Sequence, residues 1–558
     1  MAETEESQGT STAVSDVASG LRLRPVKVNR GGETPENSDH GIPNNSYLEE
    51  TWEDEPMTPA GRVFIEMKST FVCVCILGFK NPIDPQKFKS HLELTLMKHK
   101  RFSSRVDTRN GIPWWTQVKT NVDNHVFDVE LTPELKEDKN CVMNYTTDVV
   151  LDKPFDESRP LWDVHLVGAK LGNAEGCCIL RIHHSLGDGT SLISLLMACT
   201  RSVDKPDMLP KVATADQEKR SASPPPVGAS SLMSKLFASI WHSLLVFWYS
   251  VIEIGKAGAT LLWMKDSRTV ISGYAGMTDL PRKYRFITIS TDDIKALSKA
   301  MGVTINDVFM AMAAHGLRQY LQERAEQDFN SEEISDTNQY QAKDGNITAS
   351  EAQKHISKGL EPDGLLKKLD SLRIRAVALI NMRAAPGLQE LSEMMNGQAS
   401  QARWGNHMGY LLLPLPMKRY SDPLELLRKV QAIGIRKKSS FEGAFSYASG
   451  SLVMKLFGQK VAAAVVTRAA LHTTMSLSNV KGPTEHVTFA DNPIVHIIPS
   501  VVGHPHTLTL HLQSYNGEIA IIAMAMKKLL PDPERFLELC VEGLEELKKA
   551  ANERAGKK

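Results

Sequence analysis

The segment HHSLGDG, residues 183–189, has the residue types and the spacing that could do chemistry. Two adjacent histidines, His183 and His184, precede an acid, Asp188, that stands between Gly187 and Gly189. A neutral imidazole has a pKa near ~6.5 and can therefore accept a proton from an alcohol at neutral pH. The glycines allow a tight turn that would leave an imidazole at the mouth of a channel. Asp188 could brace that turn through a salt bridge or through backbone contacts.

The strand that precedes these histidines helps to decide between a catalytic site and a metal site. GCCILRI, residues 176–182, has the pattern of a short apolar strand, and neighbouring side chains on a strand point to opposite faces. His183 and His184 are therefore predicted to point apart, whereas a metal site needs several convergent ligands. The HExxH spacing is also absent. We predict one catalytic histidine and no metal; the alternative is a histidine packed in the core beside a strand–helix turn.

The composition excludes some classes of function. Lys+Arg and Asp+Glu both number 65, so the formal net charge is zero, and we expect no nucleic-acid partner. The seven cysteines include no C-x-x-C pair, which favours reduced thiols in a cytosol-facing protein over a disulfide framework. The acidic start, MAETEESQGT, has no apolar stretch behind it, so we expect no secretory signal peptide.

The chain divides by composition into two halves with a linker between them. Residues 1–55 are polar and without periodicity, which predicts a disordered tail. Residues 56–202 contain the HHSLGDG segment, and residues 203–275 form a linker that includes SASPPPVGASS. Residues 276–558 form the second half, in which the polar stretch 322–366 is predicted to be a surface insertion.

The linker contains an apolar helix over residues 236–252, which has no Asp, Glu, Lys or Arg. Its 17 residues would make a helix of about 26 Å, at the short edge of a bilayer span. Polar residues recur on it at helical spacing, which favours a helix lying in the membrane interface. A spanning helix and an ordinary packed helix remain alternatives. The polar stripe consists of Ser239, His242, Ser243, Tyr249, Ser250 and Glu253.

Local patterns predict strands and helices in both halves, and therefore an α/β fold. The clearest pattern is a hairpin in which two alternating runs flank Asn516 and Gly517, a dipeptide suited to a type I′ turn. GTSLISLLMACT, directly after HHSLGD, is predicted to be a helix with Thr190 or Ser191 near its cap.

The spacing H-H-x-x-x-D-G resembles the hallmark of acyltransferases that take acyl groups from coenzyme A thioesters. Other segments resemble, in order, the blocks of the plant-type wax ester synthase/diacylglycerol acyltransferase family, a family of bifunctional O-acyltransferases. The resemblance covers roughly residues 56–550, and one departure is Lys481, where proline is common in the family. The segments that carry it are HKRFSSRV, RPLWDVHLV, INDVFMAMAAHGLR, LINMRA, GNHMGYLLLPLP and LSNVKGP.

This resemblance implies a fold of two chloramphenicol-acetyltransferase-like α/β halves with a channel between them. It implies that His184 is the general base, with His183, Asp188 and Gly189 as structural support. Acyl-CoA would be a substrate, so no cofactor is expected, and the acceptor would be a fatty alcohol or diacylglycerol. Membrane lipid is the other expected partner. We expect the endoplasmic reticulum membrane, facing the cytosol, with the plasma membrane as the alternative.

Five further residues are candidates for the channel or the interface between the halves. Trp162 is predicted to lie in the core, with channel lining as the alternative. Asn306 and Asp307 are at the start of a predicted helix. We expect them to cap the helix or pack at the interface between the halves, and contact with substrate is the alternative. Arg383 could be the salt-bridge partner of Asp188, and Asn479 could hold a turn near the channel.

Three other functions compete with this interpretation. A serine hydrolase is disfavoured because the sequence contains no G-x-S-x-G elbow. A catalytically silent lipid-binding relative is disfavoured by the intact His184 and Asp188. An acyltransferase for a small polar acceptor remains an alternative, although the D-F-G-W-G motif of related plant families is absent and SNVKGP stands in its region.

Overall fold

The computed structural model describes residues 22–25, 53–67, 71–211, 232–332, 362–382, 388–395 and 404–556 of the chain. Its strands form an eight-stranded, a six-stranded and a three-stranded sheet. In chain order the strands are β1 (Arg22–Pro25), β2 (Glu55–Pro56), β3 (Val72–Phe79), β4 (Ser104–Arg109), β5 (Ile112–Gln117), β6 (Val126–Glu130), β7 (Trp162–Val167), β8 (Gly176–His183), β9 (Arg201–Ser202), β10 (Arg282–Ser290), β11 (Ile374–Asn381), β12 (Met408–Leu415), β13 (Met475–Lys481), β14 (Val487–Phe489), β15 (Asn492–Val502), β16 (Leu508–Tyr515) and β17 (Glu518–Met526).

The eight-stranded sheet has the order β1-β6-β7-β8-β3-β15-β14-β9 and carries the HHSLGDG segment at the end of β8. Its strand β3 pairs with β8 on one edge and with β15 on the other. A central strand must satisfy its backbone groups along both edges, and β15 comes from the second half of the chain. The sheet therefore crosses the boundary predicted between the two halves.

The six-stranded sheet has the order β10-β17-β16-β13-β11-β12 and belongs to the second half. The predicted hairpin is confirmed: β16 and β17 pair antiparallel, and Asn516 and Gly517 both have the positive φ that a type I′ turn requires. The three-stranded sheet has the order β2-β5-β4. The eight-stranded and six-stranded sheets each contribute to an apolar core of their own, which agrees with the predicted two-part α/β architecture.

Helices surround these sheets. Along the described parts of the chain the α-helices are α1 (Pro59–Glu66), α2 (Pro85–Leu94), α3 (Pro133–Glu137), α4 (Cys141–Tyr145), α5 (Gly189–Ala198), α6 (Leu232–Leu262), α7 (Thr291–Met301), α8 (Ile305–Glu332), α9 (Pro362–Asp370), α10 (Leu388–Met395), α11 (Pro423–Lys438), α12 (Glu442–Leu471) and α13 (Pro533–Gly556).

Two predicted irregular segments contain regular structure. Within the tail 1–55, strand β1 pairs antiparallel with β6, whose edge offers it backbone hydrogen-bond partners. Within the insertion 322–366, residues up to Glu332 continue α8, and Pro362 begins α9. Side-chain pairing explains the continuation, since the Gln322 amide donates to Glu326 one turn later, at 2.9 Å. Residues 333–361 lie outside the described part.

The apolar linker helix is longer than predicted. Helix α6 runs from Leu232 to Leu262, and its segment Phe237–Leu262 is long and apolar enough to cross a membrane by length and composition, with mean hydropathy 1.4. The polar stripe explains the extension, because Ser250 and Glu253 turn inward and are buried against the protein. From Ser250 onward one face of α6 therefore packs on the protein, while the part of α6 before Ser250 is largely exposed.

Candidate active site

The turn that follows β8 is held by a helix cap. Asp188 is the N-cap of α5, and its Oδ1 accepts hydrogen bonds from the Ser191 backbone N–H at 2.9 Å and from the Ser191 hydroxyl at 2.8 Å. The prediction that Thr190 or Ser191 lies near the cap is confirmed, because both are in the first turn and Ser191 donates to the capping carboxylate. A carboxylate at a helix N-terminus satisfies free N–H groups and complements the helix dipole. Gly189 is the first residue of the helix.

The two histidines have different surroundings, as strand alternation predicts. The Nδ1 of His183 accepts from the Ser185 backbone N–H at 3.2 Å and lies 2.7 Å from the Ser185 hydroxyl. Its ring makes an edge contact with Phe155, on the side away from the central cavity. His184 instead lines that cavity. Only His184 could therefore reach a substrate bound there.

The imidazole of His184 is held between aromatic rings. Its centroid lies 4.3 Å from that of Phe64 and 5.2 Å from that of Phe71. The residue is only 2% exposed, and its Nδ1 is buried without a hydrogen-bond partner among the described residues. Burial lowers the pKa of His184 below the ordinary histidine value. The ring is therefore neutral at physiological pH, the form that can accept a proton.

An asparagine from a distant part of the chain fixes the backbone of the catalytic turn. The Asn406 side-chain amide donates to the carbonyl of His184 at 3.0 Å and to that of Ser185 at 3.2 Å. The sequence placed Asn406 in a family block but gave no signal of this contact.

The neighbours of Asn406 in sequence also form hydrogen bonds to the turn. The indole N–H of Trp404 donates to the Leu186 carbonyl at 2.7 Å, and the backbone N–H of His407 donates to Asp188 Oδ2 at 3.3 Å. From the other side, Arg101 Nη1 donates to the same Leu186 carbonyl at 3.3 Å. The turn is thus fixed from several elements, which is the support a catalytic side chain needs to keep its orientation.

The cavity that His184 lines lies between the eight-stranded and six-stranded sheets and has a volume of about 1220 Å³ including its mouth. Its lining residues come from both sheets, so a substrate bound there would contact both halves of the chain. Most of its wall is apolar, contributed by β8, α5, β11 and β13. Examples are Leu180, Ile182, Leu192, Val377, Leu379 and Leu477.

A hydrogen-bond relay formed by strand β16 and the connection before it presents a hydroxyl to the cavity. The His506 backbone N–H donates to His504 Nδ1 at 3.4 Å, so the proton of the His504 ring is on Nε2. That Nε2 lies 2.8 Å from Thr509 Oγ1 and donates to it. The Thr509 hydroxyl proton is consequently free for another acceptor, and Thr509 and His504 both line the cavity. Burial lowers the pKa of His504 well below the ordinary value, which keeps the ring neutral.

Two more buried polar side chains line the cavity, one on β15 and one on β16. Ser500 Oγ and His511 Nε2 have no hydrogen-bond partner among the described residues. Burial lowers the pKa of His511 to about 4, so this ring is also neutral. A bound substrate with polar atoms could satisfy both. Sequence inspection missed Ser500, His504, Thr509 and His511 because only the pairing of distant strands brings them to the cavity that His184 lines.

The cysteine side chains of the cavity and possible metal ligands among the described residues would be alternative reactive groups. Cys73 and Cys75 line it, but burial raises the pKa of both thiols, that of Cys75 to about 12. Neither is a thiolate at neutral pH, and a thiol is a weak nucleophile in that form. Across the described ranges, no three His, Cys, Asp or Glu side chains are grouped as metal ligands.

Trp162 lies in the core of the first half. It is 1% exposed, its indole N–H donates to the Phe102 carbonyl at 2.8 Å, and its ring stacks on His125 at 4.3 Å. It does not line the central cavity. Its role is packing, and it is not part of the channel wall.

The candidates Asn306, Asp307 and Asn479 meet at the start of α8. Asp307 Oδ2 accepts from the backbone N–H and the hydroxyl of Thr304, both at 2.8 Å, so this carboxylate is part of a cap. The Asn479 amide donates to Asn306 Oδ1 at 2.6 Å, and Asn479 lines the cavity while Asn306 does not. Arg383, the predicted partner of Asp188, lies outside the described residues.

Comparisons with known proteins were made on the sequence and on the fold. Residues 75–309 match the family model of the wax ester synthase/diacylglycerol acyltransferase catalytic domain, and residues 404–548 match that of the WS/DGAT C-terminal domain. The chain is 34% identical to wax ester synthase/diacylglycerol acyltransferase 11 of Arabidopsis thaliana, over 90% of this chain and 97% of that protein. It is 33% identical to number 6 of the same series, over 91% of this chain and 95% of the relative.

Solved structures with the same fold include a wax ester synthase/diacylglycerol acyltransferase from Marinobacter aquaeolei VT8. That protein is 17% identical with a TM-score of 0.51, and the match covers 89% of this chain and all of that one. The first condensation domain of the calcium-dependent antibiotic synthetase is 13% identical with a TM-score of 0.50, covering 90% of this chain and 97% of that domain. These likenesses support the predicted architecture of two acyltransferase-like halves.

Proposed function

The chain belongs to the wax ester synthase/diacylglycerol acyltransferase family, and from this premise we propose that His184 is the general base of its acyl transfer. It is an acyl-CoA-dependent O-acyltransferase of long-chain hydroxyl acceptors. The observation that carries the proposal is a neutral, buried imidazole that lines a large apolar cavity between the two sheets. His183 supports this residue from outside the cavity, whereas Asp188 and Gly189 hold the turn that carries it and also line the cavity.

The reaction needs no covalent intermediate, because the thioester is already activated. His184 takes the hydroxyl proton while the acceptor oxygen bonds to the thioester carbonyl carbon. When the carbon–sulfur bond breaks, the imidazolium returns the proton to the departing sulfur, so the products are an ester and free coenzyme A. General base catalysis supplies about 10²–10⁴-fold. Holding both substrates in line inside a dry cavity supplies most of the remainder.

We propose that Thr509 stabilises the oxyanion that forms on the thioester carbonyl. Its hydroxyl accepts from His504 and has its own proton free, so it can donate to a developing negative charge. Loss of one such donor lowers kcat by about 10²–10³-fold in a well-studied protease. A hydroxyl on a mobile bond contributes less than a fixed backbone N–H, so we expect a smaller effect here.

Thr509→Val is therefore expected to lower kcat at least about tenfold while the melting temperature changes little. Thr509→Ser, which keeps the hydroxyl, is the matched control and should retain most of the activity. Steady-state kinetics with saturating acyl-CoA would test this. Equal kcat for the valine and serine variants would remove the oxyanion role.

The acceptor class can be tested directly. We propose a fatty alcohol or diacylglycerol because the cavity wall is mostly apolar, and we expect the alcohol to be the better acceptor of the two. Labelled palmitoyl-CoA should be given to the full-length protein in membranes with hexadecanol, with diacylglycerol and with a small phenol in parallel. The proposal fails if only the phenol is esterified above the rate without enzyme.

The site of action is proposed to be the endoplasmic reticulum membrane, with both halves on the cytosolic side. Such acceptors dissolve in the bilayer, and helix α6 exposes Phe237, Trp241 and Trp248 by 70%, 57% and 59%. All seven cysteines are free, which fits the reducing cytosol. The plasma membrane remains the alternative.

Replacing Phe237, Trp241 and Trp248 together with serine is expected to move most of the protein from the membrane pellet to the soluble fraction. Each side chain loses much of the ~1.5–3 kcal/mol that burial of a large apolar group contributes. Ile112→Ser, an exposed apolar position elsewhere, is the control and should sediment like the wild type. Unchanged sedimentation of the triple variant would exclude this segment as the anchor.

A further inference from the structure

Helix α12 carries an exposed apolar stripe that its sequence did not reveal. Phe445, Leu452 and Leu456 are 44%, 55% and 62% exposed, and they recur at spacings of seven and four residues. Phe441, which precedes the helix, and Phe457 extend the stripe at either end with 61% and 65% exposure. These five residues form the α12 stripe. Soluble proteins rarely expose contiguous apolar surface without a partner.

The α12 stripe begins where the exposed part of α6 meets the protein. The Phe441 backbone N–H donates to the Ser250 hydroxyl of α6 at 2.9 Å. On the N-terminal side of Ser250, helix α6 exposes its large apolar side chains; on the C-terminal side it turns Glu253 inward. The two apolar surfaces are therefore adjacent at this contact and can face one partner together.

The charges around the α12 stripe suit an anionic surface. Lys438, Lys455 and Lys460 are exposed beside it. The acidic residue of the same helix, Glu442, is fully buried and accepts an ion pair from Lys437 at 2.7 Å. Cations around an apolar stripe are typical of helices that lie at the interface of an anionic bilayer.

The same helix packs against strand β12, whose first residue, Met408, lines the catalytic cavity. The Tyr410 backbone N–H of β12 donates to the Ser446 hydroxyl at 2.9 Å, and Gly409 lets β12 approach the Gly443 carbonyl, which a Cβ would block. Strand β11, next to β12, places Leu379 in the cavity wall with 51% of that residue exposed. The cavity thus opens beside the helix that carries the stripe.

We propose that the α12 stripe lies on the lipid bilayer together with α6, so that the acceptor enters the cavity at Leu379 directly from the membrane. The occupant of the stripe is an anionic lipid surface. This rests on the proposed function for the identity of the acceptor, while binding of α12 to lipid can be measured without it. An acceptor that enters this way never crosses water, where a long-chain alcohol is scarcely soluble.

The test is a triple variant, Leu452→Ser, Leu456→Ser and Phe457→Ser, in the full chain with α6 intact. The matched control is Leu94→Ser, Ile112→Ser and Met208→Ser, three apolar residues exposed elsewhere. Both are compared with the wild type for binding to vesicles of phosphatidylcholine and phosphatidylserine. Thermal melting checks the fold, and Leu456→Ser alone serves if the triple variant melts early.

The stripe variant is expected to bind these vesicles at least about tenfold more weakly than the control, since three exposed apolar groups that the bilayer would bury are lost. Its KM for hexadecanol dissolved in vesicles should rise by a similar factor, while kcat/KM for a water-soluble short-chain alcohol stays as in the wild type. Wild-type binding and KM would overturn the proposal. So would a change from dimer to monomer with unaltered vesicle binding, because the stripe would then pair two copies. If the wild type esterifies no alcohol at all, the proposed function fails. The comparison of vesicle binding then still tests whether the α12 stripe lies on the bilayer.

Discussion

Replacing His184 with alanine is expected to give a folded protein whose kcat is lower by about 10²–10⁴-fold. The fold should survive because His184 Nδ1 has no hydrogen-bond partner among the described residues and the ring is held mainly by packing between Phe64 and Phe71. The contact that fixes this turn, from Asn406, is made to the His184 backbone carbonyl and is kept in the variant. Specific activity per folded molecule, measured after a thermal melt, would check this.

The control for this prediction is the adjacent histidine. His183→Ala leaves the Ser185 backbone N–H without its acceptor, so it should lower the melting temperature more than His184→Ala does. Its activity per folded molecule should fall much less, since His183 does not line the cavity. If His184→Ala retained more than about a tenth of wild-type activity, the general-base assignment would be lost. A folded, inactive His183→Ala would reverse the choice between the two residues.

Sequence patterns correctly predicted the structural features that depend only on residues close together in the chain. The alternation along β8 separates His183 from His184 because successive side chains on any strand point to opposite faces. The hairpin at Asn516 and Gly517 was predicted for the same kind of reason, since few other residues tolerate a positive φ at both positions. These conclusions need no knowledge of the rest of the chain.

The remainder of the site depends on contacts between distant segments. Asn406 reaches the His184 carbonyl from more than two hundred residues away, and no spacing in the sequence encodes that contact. Thr509 enters the cavity wall because β13 and β16 pair in parallel, a register that neither strand specifies alone, and His504 lies in the connection before β16. The family resemblance identified the sequence block that contains Asn406, but it did not predict the hydrogen bond from Asn406 to the His184 carbonyl.

Helix α12 was missed for a different reason. Its apolar residues do not form the inward-facing pattern that identifies a helix, because many of them point outward and small residues pack inward, such as Ala462 and Ala463. Gly458, with φ of 78°, also interrupts the helix in its middle. A search for an apolar face that packs on the protein core cannot identify a helix whose apolar residues face away from the core.

Replacing Asp188 with alanine is expected to abolish activity by a different route, through loss of the fold. Asp188 is 2% exposed, caps α5 through Ser191 and accepts from the His407 backbone N–H. Loss of the cap costs about 0.5–2 kcal/mol. Each buried donor left without an acceptor costs about 1–3 kcal/mol. The total is a large share of the ~5–15 kcal/mol that stabilises a domain, so we expect low soluble yield and an early thermal melt.

Asp188→Asn distinguishes a structural carboxylate from a chemical one. Asparagine is also a good N-cap and keeps an oxygen that can accept from Ser191, so this variant should melt between alanine and wild type. Because Asp188 works through the position of the turn, activity per folded molecule should follow stability: asparagine well above alanine. A variant with the melting temperature of the wild type and no activity would instead show that the charge of Asp188 acts on the chemistry. The carboxylate would then have to stabilise the His184 imidazolium directly. An opposite charge near a base raises the pKa of that base, so His184 would take the proton of the alcohol more easily.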